Sequence, residues 1–285
     1  MIIAADALAV EPGLSLIVKE WTVEHAAWLA SVPPLRIGIL TDIHAVEPWM
    51  SASRIGAIVD QLNAQKPDVT VLLGDYVNGL PGKFFTRELR VAEWVAPLKS
   101  LRARLGVYAI LGNHDCWSGE APHIRRSFWK AGIALLENAA LKVSLGRDHF
   151  WIAGIKDQLA SDSRGIRDLE ATLHPISDRA PVILLAHEPD IFDSVPARVA
   201  LTLAGHTHGG QVYIPFVGRP CFLADNRRYA GYAYGHFEKG GRHMIVSSGL
   251  GLSNIPIRFM VPPEIAIVTL RHSERNLNAP LIVRA

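Results

Sequence analysis

LRIGILTDIH (35–44) runs from a near-continuous apolar stretch straight into Asp42 and His44, and the same plan recurs four times along the chain. LLGDY (72–76), LGNHD (111–115), LLAHE (184–188) and LAGHTH (203–208) each end a hydrophobic run on carboxylate, amide or imidazole side chains. Apolar runs of this kind predict strands covered on both faces. Open α/β sheets place their sites just past the carboxyl ends of such strands. A fold that gathers five strand tips would therefore bring Asp42, His44, Asp75, Asn113, His187, His206 and His208 to one place.

Between the runs the spacing turns helical. SRIGAIVDQLNAQ (53–65), with Ser51 or Ser53 as N-cap, predicts a helix after the first strand. TRELRVAEWVAPLKSLRARL (86–105) predicts a second, kinked or divided at Pro97. HIRRSFWKAG (123–132) predicts a third, stopped by Gly132. ALKVSLGRDHFWIAGI (140–155) then reads as two strands joined at Gly146-Arg147-Asp148, a hairpin signal. GIRDLEATL (165–173) is a short helix before the strands PVILLA (181–186) and ALTLAG (200–205). The last third, with YAGYAYGHF (229–237), RHMIVSS (242–248) and EIAIVTLR (264–271), is strand-rich. Alternating β and α early, with hairpins late, argues for an α/β fold with mixed sheets. The expected organisation is an N-terminal extension over 1–34 packed on a core, one domain over 35–271, and a tail over 272–285.

Composition narrows the function classes. Hydrophobic residues make up 49% of the 285 positions, enough for a sizeable core. The 29 Lys and Arg nearly balance 27 Asp and Glu, and they are scattered in pairs such as Arg125-Arg126 and Arg227-Arg228, so no nucleic-acid footprint is expected. Cys116 and Cys221 lack CxxC spacing and cannot form a disulfide framework. The opening MIIAADALAV is apolar but brief, has no Lys or Arg before Lys19, and carries Asp6, unlike a secretory signal. No run approaches the roughly 20 apolar residues that span a bilayer. A cytoplasmic, soluble chain is the expectation, with peripheral membrane contact through the apolar start, near Trp21 and Trp28, as its extension.

The seven side chains suit a pair of cations. Asp42, His44 and His208 are the set for one, Asn113, His187 and His206 for the other, with the two oxygens of Asp75 shared between them. Imidazole with oxygen donors and no thiolate favours Mn, Fe, Zn or Co. Such a pair would polarise a phosphoryl oxygen and lower the pKa of a bridging water from about 15.7 towards neutrality, giving a hydroxide nucleophile. His114, next to Asn113, is then the expected general acid for the leaving oxygen, with Asp115 orienting its imidazole. Trp117 and Tyr76 lie beside site segments and read either as pocket walls or as core. Arg258, in NIPIRF (254–259), reads either as a binder of substrate anion or as a structural ion pair.

Asp42-Ile43-His44, Gly74-Asp75, Gly112-Asn113-His114-Asp115, His187 and Gly205-His206-Thr207-His208 together resemble the ordered motifs of the calcineurin-like metallophosphoesterases, over about Leu35 to Leu270. The resemblance implies two packed mixed β-sheets flanked by helices, in four layers, and a dinuclear site. GHTHGGQVYIPFVG (205–218) and SSGLGLSNIPIRFMVPPEIAIVTL (247–270) look like the bacterial subgroup of predicted phosphodiesterases. One relative in that subgroup is similar to enzymes that split the pyrophosphate of UDP-diacylglucosamine. A phosphodiester or pyrophosphate hydrolase of a small-molecule or lipid-linked substrate follows as the expectation, with a phosphomonoesterase or a non-catalytic binding protein as alternatives. A lipid-linked substrate would need an apolar groove, for which Phe84, Phe85, Trp117, Phe216 and Phe222 are candidates.

Overall fold

Two six-stranded sheets carry the strand tips. The structure is a computed structural model that describes residues 6–28, 30–80, 85–160, 162–219 and 231–273. In the first sheet the order is β1 (Ile17–His25), β14 (Glu264–His272), β2 (Leu35–Leu40), β4 (Val69–Leu72), β6 (Val107–Ala109) and β7 (Ala134–Leu135). From β2 to β7 the strands are parallel, and β14 is antiparallel to β2. The second sheet runs β12 (Gly235–Lys239), β13 (Arg242–Val246), β11 (Val199–Ala204), β10 (Val182–Leu185), β9 (Asp148–Gly154) and β8 (Ala139–Leu145). Its four central strands are parallel, with an antiparallel strand at each edge. A two-stranded ribbon, β3 (Val46–Glu47) with β5 (Arg87–Glu88), completes the set.

Side-chain alternation along each strand divides the core into layers. Ile37, Ile39, Val69 and Val71 meet Phe150, Ile152, Ile183 and Leu201 between the sheets. Leu40 and Leu72, pointing the other way, pack under the helices Ala52–Ala64, Val91–Leu98 and Ala121–Ala131. Val182 and Leu184 on the far face of the second sheet pack with Leu169 and Leu173 of the helix Ile166–Leu173. Helix, sheet, sheet and helix layers result, the mixed α/β arrangement expected. No helix among the described residues is long and apolar enough to cross a membrane.

Two details differ from the sequence reading. The helix expected over 86–105 spans only Val91–Leu98. Arg87 and Glu88 are held in β5 by pairing with β3, and Asn63 of the neighbouring helix takes the backbone groups of Ser100 and Arg102 that a longer helix would have used itself. β1 forms an edge of the first sheet where no strand was expected. Trp28 is buried against Phe150 between the sheets, and Trp21 is half-buried and lies edge-on to Tyr234. Residues 229–230, Cys221 and all of the tail beyond Ser273 lie outside the described residues.

Candidate metal centre

All five motifs follow the carboxyl ends of parallel strands, and the loops that leave β2 and β4 interlock first. Asp42 N–H donates to Gly74 O (3.0 Å), His44 N–H to Asp75 O (3.0 Å) and Ala45 N–H to Tyr76 O (2.8 Å). Each chain then turns sharply. Asp42, His44, Asp75, His206 and His208 all have positive φ, between 43° and 70°. Left-handed backbone at non-glycine residues costs about 1–2 kcal/mol each. Its concentration at these positions marks a site that the surrounding fold holds in place. Close approach needs glycine at two positions here. A Cβ on Gly112 would lie 2.3 Å from Asp75 Oδ1, and one on Gly205 would lie 2.6 Å from Asp42 Oδ2.

The donor atoms fall into two groups that meet at Asp75. One oxygen or nitrogen from each of Asp42, His44 and His208 lies within 4.8 Å of the others, and the same holds for Asp75, His187 and His206. Asp75 Oδ2 is 3.6 Å from His44 Nε2 and 3.2 Å from His187 Nε2, between the groups. Asn113 Oδ1 is 2.9 Å from His206 Nδ1. His44 Nδ1–H donates to Val77 O (2.7 Å) and His187 Nδ1–H to Leu73 O (2.6 Å), which leaves each Nε2 lone pair facing inward. A backbone carbonyl on the far nitrogen is the usual way a metal-binding histidine is oriented. His44 Nε2 faces His208 Nε2 at 3.1 Å. His187 Nε2 is buried with no hydrogen-bond partner.

Electrostatics agree with the geometry. Burial pushes the His44 and His206 imidazoles down to about 3, and holds His208 well below its ordinary value. Three imidazoles are thus held neutral, the form that coordinates a metal. Burial raises Asp42 to about 6. Burial would likewise raise Asp75, but His187 beside it wins and holds it well below the usual range. Asp75 in turn holds the His187 imidazole well above its ordinary value against the pull of burial, a buried ion pair whose proton a cation would replace. The residues present fit a pair of cations with oxygen and imidazole donors.

His114 stands beside both groups. Its ring lies edge-on to that of His44, 4.9 Å between centroids, and one of its nitrogens joins His44 and Asp75 in a third set of close donors. Asp75 Oδ1 accepts the His114 backbone N–H (2.9 Å), and Ser253 Oγ lies 3.4 Å from His114 Nε2. Asp115 does not orient that imidazole, contrary to expectation. Buried at the third position of the helix Asn113–Trp117, it accepts backbone N–H groups from Gly112, Asp75, Tyr76 and Val77, at 2.8–3.2 Å. The carboxylate fastens the Asp75 loop instead.

Other expectations sort by burial. Tyr76 is core, stacked on Trp94, with its hydroxyl donating to Ile110 O (2.7 Å). Arg258 is 0% exposed, and its guanidinium is spent on the carbonyl oxygens of Gly251, Ser248 and Val261, so it binds no substrate anion. Trp117 is 60% exposed beside His114, with 5.5 Å between ring centroids. Phe85 and Phe216 are fully exposed, while Phe84 and Phe222 lie outside the described residues. Burial pushes the Cys116 thiol up to about 12, which leaves it inert.

Two buried carboxyls escaped the sequence reading. Asp157 and Glu188 lie with His187 in a further close group, and burial raises both. Glu188 Oε2 accepts both N–H groups of Gln158. The signal was present: Asp157 ends GIKD (154–157) just past β9, the same strand-end position as the other acids, and Glu188 directly follows His187.

Comparison with known proteins gives the same picture. The family described as Calcineurin-like phosphoesterase matches residues 35–210. The uncharacterized metallophosphoesterase YkuE of Bacillus subtilis is 31% identical over 258 residues, 88% of this chain and 85% of its own. The phosphodiesterase YaeI of Escherichia coli is 31% identical over 240 residues, 83% of this chain and 82% of its own. A transmembrane protein with metallophosphoesterase domain from Danio rerio is 29% identical over 258 residues, 85% of this chain but only 54% of its own.

Proposed function

The chain belongs to the calcineurin-like phosphoesterase family, and from that premise we propose that it hydrolyses phosphodiester or pyrophosphate bonds with two cations held around Asp75. One observation carries the reading: Asp75 Oδ2 lies 3.6 Å from His44 of one donor group and 3.2 Å from His187 of the other, with His114 next to it. Asp42, His44 and His208 would hold one cation, and Asn113, His187 and His206 the other. Manganese, iron and zinc all suit these donors. When bound, the pair polarises a phosphoryl oxygen and brings a water's pKa towards neutrality.

The chain's own residues do the rest. The Leu73 and Val77 carbonyls fix the tautomers of His187 and His44. Asp115 is a positioning residue that holds the Asp75 loop through three backbone amides and its own helix cap through Gly112 N–H. His114 gives its imidazole proton to the leaving oxygen as the phosphorus–oxygen bond breaks, the task of a general acid. Its exposed neighbour Trp117 offers an aromatic face to the leaving group. The name of the E. coli relative supports the diester in preference to the monoester. We take 35–271 as the catalytic domain, with 1–34 an extension packed on it through the pairing of β1 with β14, and 272–285 a tail.

Elemental analysis combined with turnover of bis-nitrophenyl phosphate, nitrophenyl phosphate, cyclic nucleotides and UDP-diacylglucosamine tests the proposal. Two equivalents of metal with preferential cleavage of a diester or pyrophosphate is the expected result. Faster cleavage of the monoester would make it a phosphomonoesterase, and a metal-loaded protein that cleaves none of them would end the enzymatic reading.

A further inference from the structure

The N-terminal segment is built inside out. A single π-helical turn, Asp6–Val10, continues into a short helix, Glu11–Leu14. Its carboxylate points in: Glu11 is 7% exposed and accepts the backbone N–H groups of Met260 (2.8 Å) and Val261. Its larger aliphatic side chains point out, with Leu14 79% exposed and Leu8 and Val10 also exposed, while the smaller Ala7 and Pro12 are buried. Water favours the opposite arrangement.

Two further segments are stitched to it. Arg258 N–H donates to Ala7 O (3.0 Å), while Phe259 N–H donates to Gln211 O (2.9 Å) and Tyr213 N–H to Phe259 O (2.9 Å), tying 258–261 to a tight hairpin closed by Ile214 and Gly218. Phe216, fully exposed at the hairpin tip, and exposed Met260 both have positive φ, 68° and 55°. Asparagine or glycine would relieve that backbone, so an apolar side chain there is kept at a cost. Val217 beside it is 72% exposed. Charge identifies the occupant. Across residues 7–17, 212–218 and 254–263 the only charged side chains are Glu11 and Arg258, both buried, with Asp6 and Arg219 at the margins. A protein partner is met by a polar rim around an apolar centre, whereas a bilayer's hydrocarbon tolerates no exposed charge. Ahead of Ala7, MIIAAD (1–6) carries one charged side chain, Asp6.

We propose that Leu8, Val10, Leu14, Phe216, Val217 and Met260 form a face that docks peripherally on a lipid bilayer. The segment 6–14 lies flat at the interface, since it is too short to cross. The face adjoins the metal centre: Gln211, at the base of the hairpin, donates to Ser253 O (3.0 Å), and Ser253 is the residue beside His114. The inference goes beyond the proposed reaction and is tested without turnover.

Flotation of the metal-loaded full chain with vesicles of phosphatidylcholine, alone or mixed with phosphatidylglycerol, reads it directly. Wild type should float with both, with little salt dependence, because the face carries no exposed basic residue. Phe216→Asn, which suits the backbone, and Leu14→Asp should each lower the partition coefficient by about 10-fold or more. Leu14→Asp should keep wild-type turnover of bis-nitrophenyl phosphate, which shows that it folds. A wild type that stays behind, variants that float as well as it does, or binding confined to anionic vesicles and abolished by salt would each overturn the proposal. So would a concentration-dependent dimer that Phe216→Asn dissociates, since the face would then belong to a second copy.

Discussion

Two groups of histidines gather near the two ends of the second sheet and behave in different ways. At the carboxyl ends of its strands, His187, His206 and His208 face Asp42 and Asp75. Towards the amino end of β13, His243 packs on His236 and His25, with His236 Nε2 3.0 Å from His243 Nδ1 and His25 Nε2 donating to Gly241 O (3.0 Å). Burial lowers the imidazoles of all three in this second group, His243 to about 4. No carboxylate joins them in a group of close metal donors among the described residues. Lowered imidazoles are therefore found in both groups, in His206 and His208 as in His243, and carboxylates whose oxygens lie among the imidazoles distinguish the first.

The largest test of that contrast removes the shared carboxylate. Asp75→Asn should weaken metal binding at both positions, by more than the roughly 10–100-fold that loss of an orienting partner costs, as measured by metal content and calorimetric titration. Loss of one ion alone would show that Asp75 is not shared. His114→Ala comes next. It should keep both metals and slow cleavage of a poor leaving group by roughly 10²–10⁴-fold, with a smaller effect on a nitrophenyl ester. Equal losses on both substrates would remove His114 from the acid role. Asp115→Asn, which sets an amide N–H against backbone donors, should weaken metal binding by about 10–100-fold, with His114 still competent on whatever metal-loaded fraction remains.

The smallest effect belongs to the second group. An imidazole whose pKa is depressed by folding takes up protons more readily unfolded, so its contribution is whole above about 6.5. That contribution is lost as pH falls towards the folded value of about 4 for His243. His243→Gln should flatten this loss, so that its melting temperature gains about 2–4 °C on wild type for a pH unit below 6.5. Parallel melting curves at both pH values would show that the group does not titrate.

Most of the site was legible because each motif ends a fully buried run, and burial on both faces leaves a plain apolar signature in β2, β4, β10 and β11. β1 lacked that signature, since Lys19, Glu20 and Glu24 interrupt a half-exposed edge strand. The helix around Pro97 was read too long because two-residue pairing between β3 and β5 is a tertiary decision that local propensity does not record. Asp115 was assigned to the wrong partner for a related reason. Its ligands are backbone amides, and amides have no identity in a sequence. Arg258 stayed open between two readings until its burial closed one.

Val77 has one more consequence. Its N–H is held by Asp115 and its C=O receives the proton of His44 Nδ1, so the peptides on either side of one apolar residue connect the loop of the shared carboxylate to a ligand of the first group. With two ions held as proposed, a shift on admitting one would reach the other through that short length of main chain. Loading should then be cooperative, the first ion setting the affinity for the second, and a singly occupied form would be scarce at every metal concentration.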